Sequence, residues 1–136
     1  MTLNKDERDA IVAHRLQKAH DTLTEVRGII EMKFWNSAVN RLYYACYYAV
    51  LALLVKNGHT PHTHGGAFGL FGMHFVKQGI ISKEQNKLYR NLFNLRQAGD
   101  YEDWFEISEE DIKPLLEPAE QFIATIENLI KETNNA

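Results

Sequence analysis

The stretch that most limits how this chain can fold runs from Ala38 to Val55, AVNRLYYACYYAVLALLV, and is apolar almost throughout. Its eighteen residues are too many for a buried strand, which needs about four to eight. Its apolar-rich run from Cys46 to Leu54 is well short of the roughly 20 residues that span a bilayer. A helix apolar on nearly every side satisfies both limits, and such a helix belongs at the centre of a bundle. Asn40 and Arg41 lie inside it and need explaining. An unpaired guanidinium among apolar groups is costly, so Arg41 requires a partner, an opening to solvent or a ligand.

A central helix needs others to cover it. Val12, Leu16, Ala19, Leu23, Val26 and Ile30 recur at three- and four-residue steps, which predicts a helix over about residues 5–32 with those residues on its inner face. Arg15, Lys18, Asp21, Thr22 and Glu25 fall between them and are expected outside. KFWNS separates this helix from the apolar one, with Asn36 or Ser37 as the expected cap. KNGHTPHTHGG reads as a loop, and AFGLFGMHFVKQG as a short helix ending at Gly79. Ser82 with Gln85 has the spacing of a capping box that opens a helix with Leu88, Leu92 and Leu95 inward, stopping near Gly99. Ser108 with Asp111 resembles a second cap. From there Ile112, Leu115, Ala119, Phe122, Ile126 and Leu129 mark a last helix, which Pro114 and Pro118 should bend or delay. The expected fold is all-α: an antiparallel up-and-down bundle of four long helices plus one short helix, with residues 1–136 as a single domain.

Charge and cysteine content narrow the function. A net charge of −3 provides no broad basic field, so contact with RNA or a nucleotide must be local, and DNA binding over a surface is not expected. The single cysteine, Cys46, excludes an intrachain disulfide and reads as a buried small hydrophobe rather than a nucleophile. The N-terminal residues carry charge from Lys5 and lack the apolar core of a signal peptide, so a cytoplasmic protein without membrane attachment is expected.

Four sets of side chains could carry chemistry. His59, His62 and His64 sit within six residues, but no carboxylate or thiolate accompanies them, so neither a metal nor another cofactor is expected. Tyr43, Tyr44, Tyr47 and Tyr48 offer ring faces, most of them expected in the core or at an interface. Arg41 forms the third. In the fourth, Tyr89, Phe93, Arg96 and Asp100 share one helix face, so Arg96 interrupts an aromatic stripe and reaches Asp100 one turn later. An exposed pair of that spacing contributes only about 0.3–0.5 kcal/mol. The same arginine fork also matches the geometry of a phosphate.

Three stretches taken in order, SAVNRLYYACYYAVLALLVKNG, THGGAFGLFGMHFVKQGIISKE and LFNLRQAGDYEDW, resemble the signature segments of the HEPN domain family, in particular its small stand-alone bacterial and archaeal members. The resemblance implies a homodimeric helical bundle that binds a nucleotide or RNA, often encoded beside a minimal nucleotidyltransferase in a toxin-antitoxin system. In RNA-cleaving members an arginine precedes a histidine by four to six residues, and Arg96 matches that arginine. No histidine follows between Gln97 and Asp103. Histidine suits the proton transfers of metal-free RNA cleavage, so its absence favours holding a phosphate over cutting RNA. The implied ligand residues are Arg41, Tyr44, Arg96, Asp100 and Tyr101. A cleaving version would use Arg96, Asp100 and His64, with His64 approaching from the loop. A further alternative is a structural or adaptor dimer in which both arginines only tie helices together. Some members are silenced when a nucleotidyltransferase partner attaches adenylyl groups to a tyrosine near the motif, and the resemblance implies Tyr101 as that target.

Overall fold

The computed structural model of the protein describes residues 3–101 and 105–135, with backbone alone at 133–135. Its elements are α1 (Lys5–Glu31), α2 (Trp35–Lys56), α3 (His64–Phe71) running into a π-helical turn (Gly72–Val76), α4 (Lys83–Tyr101) and α5 (Glu109–Asn135). No strand occurs among the described residues, and the four long helices with one short one match the bundle expected.

α2 contacts each of the other α-helices. Its residues from Ala49 to Val55 are buried without a break, which is what a helix apolar on all sides requires. The whole helix has 22 residues and is long and apolar enough to cross a membrane, more than the run from Cys46 to Leu54 suggests; most of it is buried inside the bundle. α1 covers it with Val12, Ala19, Leu23 and Val26, and α5 with Ile112, Ala119, Phe122 and Ile126. Thr22 departs from the expected outer face: it is buried, and its hydroxyl donates to the Lys18 carbonyl at 2.7 Å, so the helix itself satisfies its polar group. A column of rings links the core to one flank. Phe122 lies 5.7 Å from Tyr89, Tyr89 is stacked 6.0 Å from Tyr43, and Phe68 stacks on Tyr89 at 4.2 Å. Aromatic pairs of this kind contribute roughly 0.5–1.5 kcal/mol each beyond the area they bury.

The helix ends follow local rules more closely than the starts do. After α1, α2 and the π-helical turn, the backbone enters the left-handed region at Lys33 (φ 61°), Gly58 (φ 84°) and Gly79 (φ 78°). Each end carries the paired hydrogen bonds of a Schellman motif, as in Phe34 N–H to Ile29 and Lys33 N–H to Ile30. The expected end at Gly79 is therefore found. α2 starts earlier than expected, at Trp35, because the turn at Lys33 reverses the chain within two residues; Asn36 and Ser37 are not its cap. Ser82 accepts from the Gln85 N–H, but the Gln85 side chain reaches Thr125 on α5, so only half of a capping box forms. At Ser108 the other half forms, with Asp111 accepting from the Ser108 N–H at 2.9 Å. α5 is regular from Glu109, and both prolines lie inside it without delaying its start. Pro114 and Pro118 are exposed, which leaves the carbonyls they cannot pair open to water. Gly99 does not stop α4, which continues to Tyr101. A Cβ there would lie 2.7 Å from the Ile107 side chain, so the glycine permits a close approach of the segment before α5.

Candidate functional site

The ring column ends at a charge. Arg96 projects from the last turns of α4 with a side chain only 13% exposed. Its guanidinium lies 5.6 Å from the centre of the Tyr43 ring and 5.1 Å from that of Tyr44, both on α2. The Nε atom is 3.3 Å from the Asp100 carboxylate, yet it is buried without an aligned hydrogen-bond partner. Asp100 is oriented from α2 as well: the Asn40 amide donates to the same carboxylate oxygen at 3.1 Å. One turn earlier, Asn36 donates to the Gly99 carbonyl at 3.4 Å and accepts from the Ile107 N–H at 3.0 Å, which ties the end of α4 to α2. Beside Asp100, a groove of about 310 Å³ is lined by Ile29, Asn36, Ser37, Asn40 and Arg41.

His64 reaches this cluster. It is the first residue of α3, whose N-terminus Thr63 caps by accepting from the Gly66 N–H at 2.8 Å. Its Nδ1 is 2.7 Å from the Tyr43 hydroxyl, and its ring stacks on Tyr47 at 4.4 Å. Tyr44 meets it edge-on at 5.9 Å, and Phe93 is 6.3 Å away. Tyr43 and Tyr44 thus touch both His64 and Arg96. Burial, and then the charge of Arg96, hold the His64 imidazole below the usual histidine range. Burial also pushes the Tyr43 phenol far above the ordinary tyrosine range, so it remains a hydroxyl at any working pH.

The other expected residues lie at varying distances from this core. Arg41 is about a third exposed, and its Nε donates to Glu25 of α1 at 3.2 Å. Its guanidinium also lies 5.8 Å from the outer side of the cluster at Tyr44. Arg41 therefore has the partner its helix required, and it separates the groove beside Asp100 from a second one of about 310 Å³ over α1. Tyr101 follows Asp100 and is 74% exposed. Glu102, Asp103 and Trp104 lie outside the described residues. The three loop histidines diverge: His59 stacks on His74 at 4.2 Å, His62 is exposed and His64 joins Tyr43. Among the described residues no group of three His, Cys, Asp or Glu side chains comes together as a metal site. Cys46 is fully buried, and burial raises its thiol well above the usual range, so it packs as a small hydrophobe.

Asn36, Asn40 and Tyr43 were not expected as site residues. A signal for them exists, because Asn36, Asn40, Tyr43 and Tyr47 recur at four, three and four residues and so share a face of α2.

The HEPN domain family matches residues 12–129 of the chain. A UPF0332 protein of Thermotoga maritima is 35% identical over 131 residues, covering 96% of this chain and 99% of that one. A Methanocaldococcus jannaschii protein, MJ0605, provisionally named a toxin, is 32% identical over 130 residues, 96% of each chain. The crystal structure of TT1696 from Thermus thermophilus superposes with a TM-score of 0.72, covering 86% of this chain and 96% of that one at 14% identity, a likeness of fold. With a helical bundle of matching shape and a family match across most of its length, the chain belongs to the HEPN domain family.

Proposed function

We propose that this HEPN-domain protein holds a phosphate of RNA or of a nucleotide at Arg96, Asp100, Asn40 and His64, as a homodimer working beside a minimal nucleotidyltransferase in a toxin-antitoxin system. One observation carries this reading: Arg96 is a nearly buried guanidinium whose Nε has no aligned acceptor. A charge so placed costs free energy that one off-line carboxylate offsets only in part. A phosphate accepting two parallel N–H bonds would complete it. The groove at Asn40, Arg41 and Asp100 offers an approach, with the Tyr44 ring between the two arginines. The toxin-named relative supports the system, and the family resemblance supports the dimer and the partner.

Calorimetry with nucleoside triphosphates and short RNAs tests the reading, using the chain alone and together with a nucleotidyltransferase encoded beside it. Arg96→Ala is expected to weaken binding about tenfold or more, since hydrogen bonds to charged groups contribute roughly 1.5–3 kcal/mol. No binding in either setting, or binding that Arg96→Ala leaves unchanged, would sink it. RNA cleavage and growth arrest that Arg96→Ala stops would put cutting in place of holding. Tyr101, exposed next to Asp100, is the side chain the partner would adenylylate. Mass spectrometry after co-expression should find the adduct there; an inactive complex with Tyr101 unmodified speaks against that regulation.

A further inference from the structure

We infer that Tyr43 locks His64 in the tautomer that carries its proton on Nε2, so that the imidazole serves this site as a neutral hydrogen-bond donor to an anion and not as a base. The inference rests on the phosphate-holding function proposed above and assigns that function its second donor.

The Tyr43 hydroxyl and His64 Nδ1 are 2.7 Å apart, a distance that needs one proton between them. If Nδ1 carried it, the phenol would require another acceptor for its own proton. Tyr43 is fully buried, so water does not supply that acceptor. The Tyr89 hydroxyl is the other polar group beside it; where the two phenols interact, Tyr89 donates and Tyr43 accepts, and the Tyr89 oxygen forms no aligned hydrogen bond, so it is no alternative acceptor for the Tyr43 proton. A buried hydroxyl proton left unpaired carries the full desolvation penalty of that group, which selects the arrangement in which the phenol donates and Nδ1 accepts. A neutral imidazole with Nδ1 accepting carries its hydrogen on Nε2.

The surroundings oppose any other state. α2 presents Tyr43, Tyr44 and Tyr47 to the ring, and α4 presents Phe93 and Arg96. Arg96 is the only charged group among them, and a cation disfavours a second positive charge. Protonating Nδ1 would also set its hydrogen against the phenol's, forcing the hydroxyl to turn away from its only aligned partner. His64 is therefore neutral near pH 7 and can donate from Nε2 while Arg96 supplies the positive charge. Removing a proton from a 2'-hydroxyl needs a free ring nitrogen, and in this arrangement neither nitrogen is free.

Nitrogen-15 spectra of the histidine side chains in the intact protein read the tautomer directly, with no variant needed. The expected result is one neutral form of His64, protonated at Nε2. Tyr43→Phe keeps the ring and removes the hydroxyl, and should give a mixture of the two tautomers and a raised His64 pKa. RNA titrations should show a loss of about threefold for His64→Gln, which retains an amide donor, against about tenfold for His64→Ala, the scale of one lost hydrogen bond. An Nδ1–H tautomer in the parent overturns the inference. So does a tautomer that Tyr43→Phe leaves unaltered, or an equal loss in both His64 variants. A locked Nε2–H tautomer in a protein that binds no RNA or nucleotide leaves the lock standing, refutes the donor role and sinks the phosphate reading with it.

Discussion

Arg41 and Arg96 flank the same tyrosine, with guanidiniums 5.8 Å and 5.1 Å from the Tyr44 ring, and their surroundings differ. Arg41 belongs to the most apolar helix of the chain, yet it lies near the surface and donates an aligned hydrogen bond across to Glu25 of α1. Arg96 belongs to a more polar helix, yet its side chain is more deeply covered, and its carboxylate partner lies on its own helix and out of line. The composition of a helix therefore says little about the state of one charge on it. What decides is whether the neighbouring helix brings an acceptor into line. At Arg41 it does. At Arg96, α2 brings two aromatic faces and an asparagine that holds the carboxylate instead.

Removing each carboxylate should separate the two arginines most clearly. Asp100→Ala strips Arg96 of its ion-pair partner and Asn40 of its acceptor in a partly buried setting and is expected to cost about 1–3 kcal/mol in denaturant melts. An intermediate loss should appear on acidification, with His64 beside Arg96 as one of its sources. Unfolded histidine titrates near 6.5, and His64 is held below that value by burial and then by Arg96. Between the two pKa values the unfolded chain binds a proton that the folded chain does not. Stability therefore falls as the pH drops through that window and levels off beneath the folded pKa. Melts from about pH 7.5 to 5 should show this slope, and His64→Gln should reduce it to the part left by His59, which burial and His74 also hold low. A slope that His64→Gln leaves intact would break the link between His64 and Arg96. Glu25→Ala should have the smallest effect, below about 1 kcal/mol, since Glu25 lies at the surface and the pair is screened by salt. Equal losses for Asp100→Ala and Glu25→Ala would erase the contrast between the two arginines.

Much of the bundle was legible in the residues because helix faces are a matter of local spacing. The stripes of α1 and α5, the length of the α2 run and the turn at Gly79 all follow from neighbours within a few positions. The misjudged starts and stops share another cause. Lys33 turns the chain where a glycine would have announced it, and Gly99 is small because Ile107 packs against it from eight residues further on. Gln85 leaves its own cap for a threonine on α5. At the site, Arg96 and Asp100 could be paired from their four-residue interval. By its residues His64 stood out as one histidine among three, and the family resemblance alone set it near Arg96; Tyr43 stood out only as one tyrosine among four.

The sequence alone determined that this chain forms helices, which faces of them are apolar, that the most apolar helix is central, and that Arg96 and Asp100 lie one turn apart. These properties depend on side chains three and four residues apart, which every α-helix sets side by side. The tertiary structure alone decided that His64 lies 21 residues from the tyrosine that holds it, and that Asn40 lies 60 residues from the carboxylate it orients. Those contacts depend on how α2 packs against α3 and α4, and a tyrosine buried as a core residue cannot be told from one that holds a histidine until the packing places a ring nitrogen within 2.7 Å of its hydroxyl.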